Sequence, residues 1–314
     1  MKKNNSIKQK KDFNTALGTI DYPFTNDFMF HVIFGENKPV LKKLLCSLLH
    51  MQPEEIKSII VENPIDYGRS ITDKKVILDI KIVLNTKTMV NIEMQVLDEK
   101  DWPERSVIYL CRSYDNIRKG EEYDLVNAAH HISILDYDLF DDEPEFYSTH
   151  HLRNDKTGQL YTGNFTLSVL NLRRIELATD EDKKWKIDRW AALFKAKTWE
   201  DLRMIAAQDE EMIIASEKLY DKNQDKLARI WAEAHEAFLW EERIRRKRAE
   251  KAEKELAIKE QKIESIEQDL QSKKEELQSR KKELQSKKKE LQSKDQELAH
   301  LRSLLIANGI DPDA

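Results

Sequence analysis

An acid interrupts each of two apolar runs in the stretch Ile77–Val96, ILDIKIVLNTKTMVNIEMQV: Asp79 in the first and Glu93 in the second, with Gln95 two residues further on. Alternate residues of a strand share a face. Val90, Ile92, Met94 and Val96 therefore point one way, and Asn91, Glu93 and Gln95 the other. In the first run Leu78, Ile80, Ile82 and Leu84 form an apolar side, with Ile77, Asp79, Lys81 and Val83 opposite. Whether the acids meet depends on register. Asp79 opposite Glu93 requires an odd-numbered loop centred on Thr86, or a bulge; a two-residue turn at Thr86-Lys87 puts Asp79 opposite Met94, on the wrong face.

Directly opposed residues have Cβ atoms about 4.5–5.5 Å apart. Carboxylates that close repel unless one is protonated or a cation lies between them. Hard oxygen donors without His or Cys favour Mg²⁺ or Mn²⁺ over Zn²⁺. Such an ion polarises a phosphoryl oxygen and acidifies a bound water, which is what phosphodiester hydrolysis needs. Gln95 can orient that water through its amide but brings no positive charge. Two acids on an exposed sheet face are also common without any metal, and Lys81 is available to pair with either.

The elements around this hairpin read as follows. Residues 1–20 form a flexible basic tail, and YPFTNDFMFHVIFGENKPVLKKLLCSLLHMQPEEI holds two helices. Asn26 or Thr25 caps the first, and Gly35 and Asn37 break the pattern between them. IKSIIVENPI is a first strand ending before Pro64, and PERSVIYLCRSYDNIRKGEEY a helix stopped by Gly120. AHHISILDYDLF and FTLSVLNLRRIEL are a fourth and a fifth strand, and amphipathic helices with Trp185, Trp190 and Trp199 follow. Helices before, between and after a few strands indicate an α/β body with a mixed central sheet.

From Glu241 onward no aromatic residue occurs, and the composition narrows to Lys, Glu, Gln, Ser, Ala and Leu. Leu256, Ile263, Leu270, Leu277, Leu284, Leu291 and Leu298 recur every seventh residue, through KKEELQS, RKKELQS and KKKELQS. A coiled coil needs two apolar positions per heptad. Here the second holds charged residues except near the ends, at Ile266 and Leu301. Glu276–Arg280, Glu283–Lys287 and Glu290–Lys294 stand in the favourable i, i+4 order, each pair worth roughly 0.2–0.5 kcal/mol. The expected domains are the tail 1–20, a body 21–240, a charged heptad helix or weak coiled coil 241–305, and a terminal tail 306–314.

Across its 314 residues the chain carries a net charge of -5, so bulk charge does not mark it as a nucleic-acid binder. Its two cysteines, Cys46 and Cys111, form neither a disulfide framework nor a zinc motif, which suggests a reducing compartment. No apolar run has the length to cross a bilayer, and the N-terminus lacks a secretory core, so cytoplasmic residence is expected. Seven glycines and no glycine-rich phosphate loop argue against P-loop nucleotide hydrolysis.

Four segments together resemble the Rpn-type branch of recombination-promoting nucleases and transposase-labelled proteins in the PD-(D/E)XK superfamily, from about Thr25 to about Lys218. TNDFMFHVIFGENKPVLKKLL is similar to its opening helix, and LDIKIVLNTKTMVNIEMQV to its catalytic hairpin with ExQ in place of ExK. RSVIYLCRSYDNIRKGEEYDLVNAAHHISILDYDLF is similar to its R-x3-Y helix and following strand, and LRRIEL to a late segment. The resemblance implies a restriction-endonuclease-like mixed sheet flanked by helices, and a Mg²⁺-dependent (or Mn²⁺-dependent) DNA endonuclease connected with recombination, mobile elements or phage defence. It implies Asp79 and Glu93 as metal ligands, Gln95 at the superfamily lysine position, and Asp27 as a supporting acid. It places Arg105 and Tyr109 beside the site, touching DNA or holding the hairpin. The proline that precedes the first acid in the superfamily is Leu78 here.

Arg243, Arg245, Arg246 and Lys247 form the best basic patch, suited to salt-dependent phosphate contact or simply to the charged start of a long helix. The paired histidines at 130–131 and 150–151 lack zinc spacing, and a strand sends His130 and His131 to opposite faces. DYDLFDDEPEF reads as a solvated loop. A homodimer through the C-terminal helix would let two sites address two strands. The rival readings are a catalytically weak or inactive DNA-binding or coiled-coil scaffold, and a transposase that joins strands as well as cutting them.

Overall fold

The computed structural model describes residues 12–62, 80–85, 87–98, 100–115, 122–123, 126–140, 142 and 144–307. Asp79, Gly120 and most of both terminal tails lie outside the described residues. Two compact units emerge, Met1–Trp240 and Glu241–Ala314.

The first unit is built on a six-stranded sheet in the order β1-β2-β3-β4-β6-β5. The hairpin of β2 (Ile80–Leu84) and β3 (Thr88–Gln95) pairs antiparallel from Ile80↔Ile92 to Leu84↔Thr88, leaving three residues between the strands. That is the odd loop, not the two-residue turn. Asn85 adopts a left-handed conformation, φ 52°, which asparagine tolerates because its short side chain bonds locally. Its carboxamide oxygen accepts from the backbone N–H groups of Lys57 (2.7 Å) and Ser58 (3.3 Å), and its Nδ2 donates to the Glu55 carbonyl (2.7 Å). The loop is thereby tied to the chain entering β1 (Ile59–Val61), which pairs antiparallel with β2 at the sheet edge.

On the other side, β4 (Ala129–Leu135) runs parallel to β3, and β6 (Phe165–Asn171) parallel to β4. The outer strand β5 (Tyr147–His151), antiparallel to β6, has no counterpart among the strands expected from sequence. Its side chains are Tyr, Ser, Thr, His and His, half-buried or exposed. A polar edge strand avoids pairing with other chains and for that reason lacks an apolar signature. The expected fifth strand also ends early: Leu172–Leu177 is a 3-10 segment, opened by the Asn171 side chain accepting from the Arg173 N–H.

Helices α1 (Asp27–Glu36) and α2 (Lys38–Leu48) are capped by Asn26, accepting from the Met29 N–H, and Asn37, accepting from the Val40 N–H. Asn37 alone makes the break. Gly35 lies inside α1, where an added Cβ would stand 3.3 Å from the His31 ring, so its smallness serves close packing. The first apolar core joins both helices to Ile80, Ile82, Ile92 and Met94 on one sheet face.

After the short charged helix α4 (Asp180–Lys184), helices α5 (Ile187–Lys195), α6 (Trp199–Ala206) and α7 (Glu210–Gln224) add to the same core. Within it Trp190 packs on Phe34 (5.8 Å between ring centroids) and Phe194 (5.9 Å), and its indole N–H donates to the Ser47 hydroxyl at 3.1 Å. Trp190→Ala is expected to cost about 3–5 kcal/mol of unfolding free energy, measured by urea denaturation; a loss below about 1 kcal/mol would mean that this core is looser than the packing indicates. The start of α8 (Lys226–Ala307) belongs to this unit, with Trp231 stacked on Phe28 at 6.3 Å.

The opposite sheet face is covered by α3 (Trp102–Tyr114), whose Trp102 makes a second, small core with Leu135, Tyr137 and Val169. This helix stops at Tyr114, six residues short of Gly120, with the Asp115 N–H donating to the Cys111 carbonyl. Asp competes for backbone hydrogen bonds outside helices.

In the second unit α8 is solvent-exposed from Lys247 to Leu304, with Glu242, Ile244 and Arg246 half-buried before it. The expected pairs are present: Glu276–Arg280 at 3.7 Å, Glu283–Lys287 at 2.8 Å and Glu290–Lys294 at 3.0 Å. Among the described residues no helix is long and apolar enough to cross a membrane.

Candidate active site

The alternation expected of the hairpin is observed. Ile80, Ile82, Leu84, Val90, Ile92 and Met94 enter the large core, while Asn91, Glu93 and Gln95 turn to the face beneath α3. That face is less open than its polarity suggests, since Asn91 is 2% and Gln95 8% exposed.

Arg105 organises the group. Its Nη2 donates to Glu93 Oε1 at 3.0 Å and to Gln95 Oε1 at 2.8 Å. The guanidinium lies over the Trp102 ring, 4.5 Å from the centroid, and 6.0 Å from that of Tyr109. Trp102, Arg105 and Tyr109 stand at i, i+3 and i+7, one stripe of a helix. The flat cation is therefore held by aromatic faces and aimed by two oxygen acceptors. Gln95 Nε2 in turn donates to the Leu97 carbonyl at 2.9 Å, which fixes the amide's orientation.

Parallel pairing places Asn91 beside His131 and Glu93 beside Ser133. Asn91 Nδ2 lies 3.0 Å from His131 Nδ1, so the amide donates to a neutral ring whose proton is on Nε2. Ser133 is fully buried, and its hydroxyl has no hydrogen-bond partner among the described residues. Tyr109 and Trp102 flank the His131 ring, at 5.9 Å and 6.1 Å. Burial, with lesser contributions from His130 and Arg105, drives the His131 pKa down to about 3. His130 points to the other face, 2.8 Å from the Ser168 hydroxyl, and burial together with His151 lowers its pKa to about 4.

These buried rings give a signed pH dependence. Between about pH 6.5 and pH 3 the unfolded chain takes up an imidazole proton that folded His131 does not, so stability falls as pH falls through that window. The slope is up to about 1.4 kcal/mol per pH unit for one ring. Urea denaturation from pH 7 to pH 4 should show a shallower decline in His131→Gln than in the parent; equal slopes would mean that this ring is protonated when folded.

The other expected residues are distributed more widely. Asp27 opens α1, and its Oδ2 is 3.0 Å from His235 Nε2 on α8, while Oδ1 is buried without a hydrogen-bond partner among the described residues. Its recorded partner is thus His235, not a hairpin residue. Arg243, Arg245, Arg246 and Lys247 lie along α8 in the second unit, where Arg245 pairs with Glu242. Cys46 is buried, Cys111 exposed, and both are free. Among the described residues no group of three or more His, Cys, Asp or Glu is placed to hold a metal ion.

With this geometry in view, comparison with protein-family models returns PD-(D/E)XK nuclease family transposase, matched over residues 24–248. The chain belongs to that family. Neither the curated proteins nor the solved structures contain a match to it. The mixed sheet, its flanking helices and the acid of the hairpin's second strand all lie within the matched span, and the fold is consistent with the PD-(D/E)XK-like α/β type. The family supports a nuclease-like or transposase-like function with DNA as substrate, and its members are generally dependent on a divalent metal.

Asn91, Trp102, His131, Ser133 and His235 were not picked out from sequence as parts of a PD-(D/E)XK site. A signal existed for Trp102, whose spacing aligns it with Arg105 and Tyr109. His131 and Ser133 needed the β3–β4 register, and His235 needed the return of the chain over more than 200 residues to α1.

Proposed function

We propose that this chain is a divalent-metal-dependent DNA endonuclease that hydrolyses phosphodiester bonds. The observation that carries the reading is the joint hold of Arg105 on Glu93 and Gln95, on the polar face of a hairpin whose register runs as Ile80↔Ile92. With Asp79, which lies outside the described residues, taken as the second acid of the pair, two carboxylates side by side require a cation between them.

Oxygen donors from Asp79 and Glu93, without His or Cys, suit Mg²⁺ or Mn²⁺. The buried Ser133 hydroxyl beside Glu93, without a hydrogen-bond partner among the described residues, supports such a fit, because a water held there would satisfy it. When bound, the ion supplies charge neutralisation at the phosphate and a water acidic enough to attack it. Arg105, held still by Trp102 and Tyr109 beside Glu93, contributes the positive charge that Gln95 lacks. Gln95 positions Arg105 through Oε1 and keeps a second lone pair on that oxygen for a water. Asp27 assists from α1, and Arg243, Arg245, Arg246 and Lys247 add sequence-independent phosphate contacts.

Mn²⁺ binding followed by electron paramagnetic resonance tests the reading. The parent chain should take up the ion, and Asp79→Ala and Glu93→Ala should each bind at least tenfold more weakly. Equal binding by all three would make the hairpin acids structural and favour a scaffold role. The family's transposase description adds a second possibility, strand joining, which a pre-cut donor end incubated with target DNA would reveal.

A further inference from the structure

The exposed face of the C-terminal helix has a charge order that specifies its partner. Leu256, Leu270, Leu277, Leu284, Leu291 and Leu298 are 54–68% exposed along α8, as are Ile266 (65%) and Leu301 (54%). With the leucines at heptad position a, Ile266 and Leu301 fall at d, three residues on. With the leucines at d instead, both of these apolar residues leave the seam. The first register therefore covers more apolar surface.

In that register the g positions of the repeat are Asp269, Glu276 and Glu283, and the e positions five residues later are Lys274, Lys281 and Lys288. Parallel, in-register helices bring each g beside the following e of the partner, so all three pairs attract. Glu297 meets Arg302 in the same way, and only Glu255–Glu260 and Glu290–Asp295 oppose the pairing along Leu256–Leu301. An antiparallel pair sets g against g and e against e, which within the central repeat opposes the acids Asp269, Glu276 and Glu283 to one another and the lysines Lys274, Lys281 and Lys288 to one another. A slip of one heptad sets Lys262 against Lys274 and Glu283 against Asp295.

We propose that residues 249–304 form a parallel, in-register, two-stranded coiled coil with a second copy of this chain. Two strands suit the sequence because the central d positions are Lys273, Arg280, Lys287 and Lys294. Long basic stems can lie across a two-stranded seam with their charges in water, whereas three or four strands would enclose them. The inference does not depend on the catalytic reading. It places the N-terminal ends of both helices, where the two bodies are attached, together.

The test uses the full chain. Sedimentation velocity should show a concentration-dependent dimer. Glu276→Lys with Glu283→Lys should weaken it at least tenfold, with helix content checked by circular dichroism, and adding Lys281→Glu with Lys288→Glu should restore it. In a Cys111→Ser background, spin labels on Ser303→Cys should lie across helices about 10 Å apart. An antiparallel pair centred on Leu277 would hold them about 80 Å apart, at 1.5 Å rise per residue. A monomer at 100 µM or so, a trimer or tetramer, the long distance, or a dimer indifferent to the charge reversals would each overturn the proposal.

Discussion

Glu93→Gln is expected to abolish metal-dependent DNA cleavage, with a loss of about 10³-fold or more, in a chain that still folds. The substitution keeps the shape of the side chain and an oxygen for Arg105, whose Nη2 lies 3.0 Å from Glu93 Oε1. It removes the charge that holds a hard cation. A thousandfold loss corresponds to about 4 kcal/mol of transition-state stabilisation, within what charge neutralisation at a phosphoryl group supplies. Stability should fall by less, about 1–3 kcal/mol, since a hydrogen bond to a charged group becomes one to a neutral group. Separate measurements of cleavage rate and of urea midpoint distinguish the two effects. Cleavage within tenfold of the parent would remove Glu93 from the machinery.

The second large effect concerns Arg105. Arg105→Ala should slow cleavage about 10²-fold or more, the cost of removing one preorganised charged donor from a transition state. It also takes the restraint from Gln95, whose Oε1 is 2.8 Å from the guanidinium. Gln95→Lys added to Arg105→Ala should recover tenfold or more, because it returns a cation to the hairpin itself, at the position where the superfamily carries its lysine. Arg105→Lys alone should fall between parent and alanine variant: it keeps the charge but loses the planar fork that bridges two acceptors and lies flat on Trp102. If Arg105→Ala cuts at the parental rate, the guanidinium is a clamp for the hairpin and takes no part in the chemistry.

Much of the geometry behind these expectations is legible in the alternation of apolar and polar residues. Ile80, Ile82, Val90, Ile92 and Met94 mark one face of the hairpin; the sequence allows an odd-numbered or a two-residue loop, and the Leu84↔Thr88 closure makes it three residues. The cap at Asn26 is legible as one of two candidates with Thr25, since short polar side chains before apolar periodicity mark helix starts, whereas Asn37 reads only as a break and is the cap of α2. Trp102 apart, what escaped had little local signal. β5 is a polar edge strand, recognisable only through its neighbour β6. Gly35 reads as a helix breaker, yet it serves the His31 contact. The burial of the polar hairpin face depends on α3 folding back over β3, which a period of two cannot reveal. Arg105 reads as a flanking residue because its reach to Glu93 and Gln95 is set by that return, and the aromatic stripe of Trp102 and Tyr109 gives it away only once the helix face is known.

The claim beneath all of this is that Asp79 and Glu93 hold a metal ion for phosphodiester hydrolysis. Its most direct test is nicking of supercoiled plasmid by the full chain with Mg²⁺ or Mn²⁺, with excess chelator, and with Asp79→Ala and Glu93→Ala in parallel. Cutting should require the metal, stop with chelator and be lost in both variants. Cutting that persists equally in the variants, or a clean parent chain that never cuts with either ion, would contradict it.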